Sequence, residues 1–239
     1  MSREGHQAEV MLEKAPVTET TARRLQEMIR SGEFAVGSRI PSQRVLSDML
    51  QVSRPSLREA LLTLETLGLV RTLPARGTFV VDKDAQPPSS STWRYNDLFS
   101  MNDVFQTRIL IECELCRTAA LHLEPTALRQ IEGYADAFEQ AWKQGDLVAH
   151  VEADLSLHRA IAEASPNHML RRIYESVQTF LTESQRQPVP TTARARMAQS
   201  IAEHGEIVAA LRTGSGDLAH GAMRKHIMNT AACAGVDLP

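Results

Sequence analysis

Apolar residues recur at helical spacing through most of this chain, and one short stretch breaks the period. Leu25, Met28 and Ile29 share a face of a first helix, which Thr18 or Thr20 is placed to cap and which ends near Ser31-Gly32. Ser42 is placed to cap a second helix, Gln43 to Leu50, with Leu46, Met49 and Leu50 turned inward. A third opens at Ser53 or Ser56, the latter giving the capping-box pattern Ser56-x-x-Glu59. It buries Leu57, Leu61 and Leu64 at i, i+4, i+7 and stops at Gly68. The period then changes: Leu69–Leu73 and Thr78–Val81 are β-rich and flank the turn residues Pro74-Ala75-Arg76-Gly77, which predicts a hairpin. Three helices and a hairpin in this order make a winged helix-turn-helix.

Beyond this unit the pattern is helical throughout. Six helices are predicted at about 102–123, 125–144, 146–164, 168–186, 193–213 and 216–233. They are separated by Glu124-Pro125, Gly145-Asp146, Ser165-Pro166-Asn167, Pro188/Pro190 and Gly214-Ser215-Gly216. Such short connections imply an all-α antiparallel helical bundle, so the fold class is mainly α. Between the two units, Ala85-Gln-Pro-Pro-Ser-Ser-Ser-Thr92 suits neither helix nor strand and reads as a linker. The expected division is a winged helix-turn-helix domain at 12–84, a linker at 85–99 and a helical domain at 100–235.

Composition narrows the class. The chain has 239 residues, 43% hydrophobic and 23% charged, which suits one or two ordinary globular domains and excludes global disorder. Three cysteines form no disulfide framework and fit a reducing compartment. The opening run MSREGHQAEVMLEK has no apolar core of a signal peptide, and no stretch is apolar enough to span a bilayer. A soluble cytoplasmic protein without a membrane partner is expected. The net charge of −3 advertises no nucleic acid, but it hides an uneven spread. Residues 39–76 carry six arginines against Asp48, Glu59 and Glu65, enough for a small basic face.

That face has a use. Arg54 and Arg58 stand at i, i+4 in the first turns of the third helix, on the side away from the leucines. An α-helix fits the major groove, and arginine donates two hydrogen bonds to guanine O6 and N7. Ser53 and Ser56, with the helix's own unpaired amides, suit phosphate oxygens. Arg44 approaches from the preceding helix, Gly77 permits close approach at the hairpin tip, and Arg76 suits the minor groove. Each arginine alone reads as an ordinary solvated side chain; their shared placement favours DNA.

The same residues carry a resemblance. Arg39-Ile-Pro-Ser-Gln-Arg44, Val52-Ser-Arg-Pro-Ser-Leu-Arg-Glu-Ala-Leu61, Leu67-Gly-Leu69 and Arg76-Gly-Thr-Phe-Val80 closely resemble the GntR superfamily of bacterial regulators over about residues 15–82. Ile40 and Gln43 stand where the family usually has leucine and glutamate. The resemblance implies that Arg44, Ser53, Arg54, Ser56, Arg58 and Gly77 fall on DNA-contacting positions, and that the partner is double-stranded operator DNA bound by a homodimer.

In the bundle, Asp154 and His158 lie at i, i+4 on one helix, while His204 and His226 occupy two others. One carboxylate and three imidazoles from three helices form a set able to hold a divalent transition metal. Zinc leads, with nickel, manganese or iron as alternatives. The competing reading is four ordinary hydrogen-bonded side chains, as assumed for His6, His122, His150, His168 and His220. Spacing alone leaves both readings open. Over about residues 100–232 the chain also resembles the FCD ligand-binding domain of the FadR-type branch. The matching residues are Arg108-x-x-x-Glu112, Asp154-Leu-Ser-Leu-His158, Ser165-Pro-Asn167, Glu203-His204-x-x-Ile207 and Met223-x-x-His226. That resemblance implies Asp154, His158, His204 and His226 as metal ligands. Arg108 suits the carboxylate of a small organic acid effector, or else pairs with Glu112 within its helix. Cys113-x-x-Cys116 reads as packing, and Glu203, next to His204, is expected to point away from the site.

Together these features predict a metabolite-responsive transcriptional regulator that is not an enzyme and is released from DNA by a small carboxylic acid. Two other readings are a metal-dependent enzyme with an appended DNA-binding domain and an effector-free architectural DNA-binding protein.

Overall fold

A computed structural model describes residues 17–82 and 93–238. The first unit comprises α1 (Val17–Arg30), α2 (Gln43–Leu50), α3 (Arg54–Thr66), β1 (Val70–Leu73) and β2 (Gly77–Val80). The strands pair antiparallel with Val70 opposite Val80 and Leu73 opposite Gly77, and Arg39 adds a single bridge to Phe79. Leu25, Leu46, Leu57, Leu61 and Leu64 form the core, as their spacing requires. This is the predicted winged helix-turn-helix.

Two capping expectations are corrected. Helix α1 already includes Thr18 and Thr20, so neither caps it. Helix α3 is capped by Ser53, whose Oγ accepts from Ser56 N at 3.2 Å; Ser56 is therefore inside the helix and starts no capping box with Glu59. Pro55 falls at the second helical position, in the first turn, where its missing N–H is harmless.

Six helices follow: α4 (Met101–Ala120), α5 (Pro125–Gln144), α6 (Leu147–Ala164), α7 (His168–Arg186), α8 (Arg194–Thr213) and α9 (Gly216–Cys233). Ser100 and Asp103 form a full capping box at the start of α4. Gly145 and Gly214 end α5 and α8 in the left-handed conformation, which glycine adopts without strain. Those turns fold α5 against α6 and α8 against α9, and α4 packs against α6, α7, α8 and α9. Cys113 and Cys116 lie in the core beside Leu157, Ile207 and Met223. Both are free thiols, and burial pushes Cys113 up to about 12 and raises Cys116 too, so the packing reading holds.

Ala85–Thr92, read as linker, lies outside the described residues, as do residues 12–16 and His6. Residues 93–99 pack onto the bundle: the Trp93 indole donates to Phe99 O at 2.5 Å, and Tyr95 stacks edge-on against Phe180 at 4.9 Å. The winged helix also rests directly on α6. Leu147, Val148 and Val151 enter its core, Gln26 holds Asp146 at 2.6 Å and the Val148 amide at 3.0 Å, and Arg23 meets Glu152. Among the described residues, no helix is long and apolar enough to cross a membrane.

Candidate functional site

Helix α6 presents Asp154 and His158 on one face, α8 brings His204 and α9 brings His226. One ligand atom from each lies within 4.8 Å of all the others. Asp154 Oδ1 stands 3.1 Å from His204 Nε2, off the axis of a hydrogen bond, and 3.7 Å from His158 Nε2. The three imidazoles are at most 3% exposed. His158 Nε2 and both ring nitrogens of His204 are buried with no hydrogen-bond partner. Orphaned buried nitrogens are rare because each forfeits its hydration, and a shared cation would satisfy them. Burial, with the neighbouring imidazoles, lowers His226 to about 4, so it is a neutral donor at pH 7. Burial would raise Asp154, but the His204 nitrogen and the imidazole cluster hold its carboxyl well below the usual range. One carboxylate oxygen and three imidazoles suit a divalent transition metal.

A second layer of side chains grips this set. Glu112 Oε2 makes a very short contact with His158 Nδ1. Glu203 Oε2 lies 3.1 Å from His226 Nδ1, and Gln185 Nε2 donates to Asp154 Oδ2 at 3.0 Å. Metal-binding histidines ordinarily hand their second nitrogen to such a partner, which fixes tautomer and ring orientation. Glu203 was expected to point outward; it is 3% exposed and turned inward. The reason is that α8 packs against both α5 and α9, so its buried arc is wide enough for two adjacent residues. Glu203 also takes Arg196 bidentately at 3.1 and 2.9 Å and Asn229 at 2.7 Å. A carboxylate on a wide inward arc, seven residues after an arginine, was the missed signal.

Beside the cluster lies a cavity, partly open to solvent, lined by Arg108, Asp154, Gln185, Thr192, Ser200 and His226, among others. Arg108 is fully buried. Its Nε donates to Glu112 Oε1 at 2.7 Å, while Nη1 and Nη2 have no partner. The two sequence readings of Arg108 are therefore compatible: the intrahelical pair consumes one edge of the guanidinium and leaves the fork free.

The remaining histidines stay apart. His150 Nδ1 faces Phe138 O at 3.0 Å and its ring stacks on Phe138 at 3.8 Å, at the cavity's edge. His122 and His168 are exposed and His220 is half-buried.

At the other end, Arg44, Arg54, Arg58 and Arg76 are all exposed and, among the described residues, unpaired. The Ser53 and Ser56 hydroxyls sit 2.8 Å apart at the N-terminus of α3. Gly77 has φ +105°, a conformation that other residues rarely adopt, so the turn favours glycine.

Comparison with known proteins agrees with both ends. Residues 103–229, over half the chain, match the family model described as FCD domain, and residues 17–80 match that of bacterial regulatory proteins, gntR family. The chain is 27% identical over 209 residues to the HTH-type transcriptional regulator LutR of Bacillus subtilis (strain 168), covering 84% of this chain and 94% of that one. It is 26% identical over 235 residues to the HTH-type transcriptional repressor NanR of Enterobacter sp. (strain 638), covering 92% and 86%. The solved structure of E. coli McbR/YncC shares the fold, with a TM-score of 0.53 at 18% identity over 93% of this chain and 98% of that one.

Proposed function

This chain belongs to the gntR family of bacterial regulatory proteins with an FCD domain, which are transcriptional regulators, and we propose that it binds operator DNA as a cytoplasmic homodimer and is released by a small carboxylic acid held in a metal-containing pocket. The observation that carries the effector half is Arg108: a fully buried guanidinium with two unpaired donors in a cavity that also contains Asp154 and His226. Glu112 balances the charge of Arg108, but buried donors without an acceptor are unfavourable unless a ligand completes them, and a carboxylate matches the fork. A bound divalent metal, zinc first, would supply a Lewis-acidic anchor for the acid's oxygens. Asp154, His158, His204 and His226 are the side chains that would hold it. Arg44, Ser53, Arg54, Ser56, Arg58, Arg76 and Gly77 form the DNA-reading set, and an isologous pair of such units matches a palindromic operator. Release rather than recruitment is supported by the relatives named as repressors.

The enzyme reading is disfavoured by the fate of Glu203, the candidate general base. Its oxygens are occupied by His226, Arg196 and Asn229, and it has no free lone pair for a metal-bound water. For the acid to regulate, it must bind the free protein more tightly than the DNA-bound protein, and DNA must weaken acid binding by the same factor.

The test is a thermal-shift screen of small carboxylic acids on zinc-loaded and chelator-stripped protein, followed by operator binding with each hit. An acid that stabilises only the zinc-loaded protein and weakens operator binding is the expected result. A hit indifferent to stripping would place the acid on Arg108 alone. No stabilising acid would leave the architectural reading.

A further inference from the structure

Glu112 touches both halves of the pocket. It is 4% exposed on α4, and its two oxygens serve different neighbours. Oε1 accepts from Arg108 Nε at 2.7 Å, and Oε2 contacts His158 Nδ1. The far nitrogen of that imidazole, Nε2, faces Asp154 without a hydrogen bond. The far edge of that guanidinium, Nη1 and Nη2, is equally unpaired.

We propose that Glu112 is a positioning residue that couples the metal ligand His158 to the anion clamp Arg108. The inference rests on the metal-and-acid reading of the pocket. A neutral imidazole carries its proton on one nitrogen and a lone pair on the other. Glu112 is ion-paired with Arg108 through Oε1, which leaves Oε2 as an acceptor facing His158 Nδ1. An acceptor at Nδ1 requires the proton there, which turns the Nε2 lone pair toward Asp154, His204 and His226. The same carboxylate fixes the guanidinium about its Nε–H, so the fork cannot rotate away from the cavity. A merely structural Glu112, present to neutralise Arg108, would need no contact with His158. A support for His158 alone would need no arginine.

Glu112→Gln separates these roles at nearly constant volume. The amide oxygen still accepts from Arg108, but the amide nitrogen donates to His158 Nδ1 and drives its proton to Nε2, where a metal would bind. Two measurements on the full chain test the idea. The first is ¹⁵N NMR of the imidazoles without metal. His158 is expected as the Nδ1–H tautomer in the wild type and as Nε2–H in Glu112→Gln. A wild-type Nε2–H tautomer would overturn the proposal with no variant needed. The second is zinc affinity by competition with a chelator, for Glu112→Gln, Arg108→Gln and the double variant. Glu112→Gln should weaken zinc by about 10- to 100-fold. Arg108→Gln should weaken it less, and the double variant should match Glu112→Gln, because Arg108 acts on the metal through that carboxylate. Additive losses, or a Glu112→Gln protein that binds zinc like the wild type, would overturn the coupling. A wild type that takes up no zinc while keeping the Nδ1–H tautomer would instead overturn the metal reading.

Discussion

The two chemically distinctive regions treat charge in opposite ways. On the winged helix, Arg44, Arg54, Arg58 and Arg76 are exposed and without partners among the described residues. In the bundle, each buried carboxylate of the described residues is gripped by at least one other side chain, Glu112 by Arg108 and His158, Glu183 by Thr66, and Glu203 by Arg196, His226 and Asn229, and the half-buried Asp154 is held by Gln185. Water hydrates the first set at little cost, so it needs no internal partners and keeps its cations available for phosphate. The second set has left water, so its geometry must be arranged before any ligand arrives. Among the described residues, the buried side-chain nitrogens without a hydrogen-bond partner are the inward imidazole nitrogens, the fork of Arg108 and, at the end of α7, Arg186 Nε, so most of them face the pocket. On the proposed function, a surface for a polyanion and a pocket for one small anion would thus differ in who supplies the countercharge.

That contrast breaks most visibly with a chelator. A metal present at about a thousand times its dissociation constant stabilises the native state by about 4 kcal/mol. Stripping it should therefore lower the thermal midpoint by about 10 °C for a protein of this size. Operator affinity of the folded, stripped protein should change far less than its stability. A midpoint indifferent to chelation and to added zinc, nickel or manganese would remove the metal from the pocket. His204→Ala sharpens the same point, since it deletes one donor from α8. Metal content per chain, measured on purified protein, should fall toward none, and unchanged stoichiometry would strike His204 from the ligand set.

The DNA-reading face should fail in the complementary manner. Arg54→Ala or Arg58→Ala should cost about 1–3 kcal/mol of specific operator binding if each arginine reads a base. Substitution of exposed side chains of this kind leaves stability within about 0.5 kcal/mol. Operator binding by fluorescence anisotropy, beside a melting curve, checks both halves. Wild-type affinity in both variants would sink the groove assignment. If Arg44 contacts the phosphate backbone, Arg44→Ala should lower the slope of log affinity against log salt by about 1 and leave sequence preference intact.

Legibility in the sequence follows the same division. Helix boundaries were readable because caps and glycine stops are local chemistry; α5, α7 and α9 begin and end where the pattern places them. The exposure of Arg44, Arg54, Arg58 and Arg76 was readable because an exposed side chain depends little on how the other elements pack. Asp154 and His158 shared a face by spacing alone, but His204 and His226 join them only through the packing of α6, α8 and α9, which spacing does not determine. Gln185 and Glu203 were not legible as supports, and Glu112 only as a partner for Arg108, because their roles are contacts between helices. The α3 cap was left between Ser53 and Ser56 because the two are equally good caps locally, and of the alternatives it was the Ser56–Glu59 capping box that the structure does not form.

The smallest effect is expected where the two regions meet. Helix α6 turns Asp154 toward the cluster and Glu152 toward α1, where Arg23 Nη2 reaches it at 2.5 Å. Gln26, Leu147 and Val148 pack the same seam from within. Arg23 is 48% exposed, so solvent screens its charge, and Arg23→Ala should cost about 0.2–1 kcal/mol in chemical denaturation. Most of the seam is apolar burial and the Gln26 bridge, which this variant leaves intact. A loss above about 2 kcal/mol, with an unchanged denaturant slope, would show that the ion pair, rather than the apolar seam, holds the winged helix on α6. Zinc affinity should not move in Arg23→Ala, because Glu152 points away from the ligands. If it did move, the outer face of α6 and its metal-facing side would be energetically linked, and surface and pocket would no longer be independent regions.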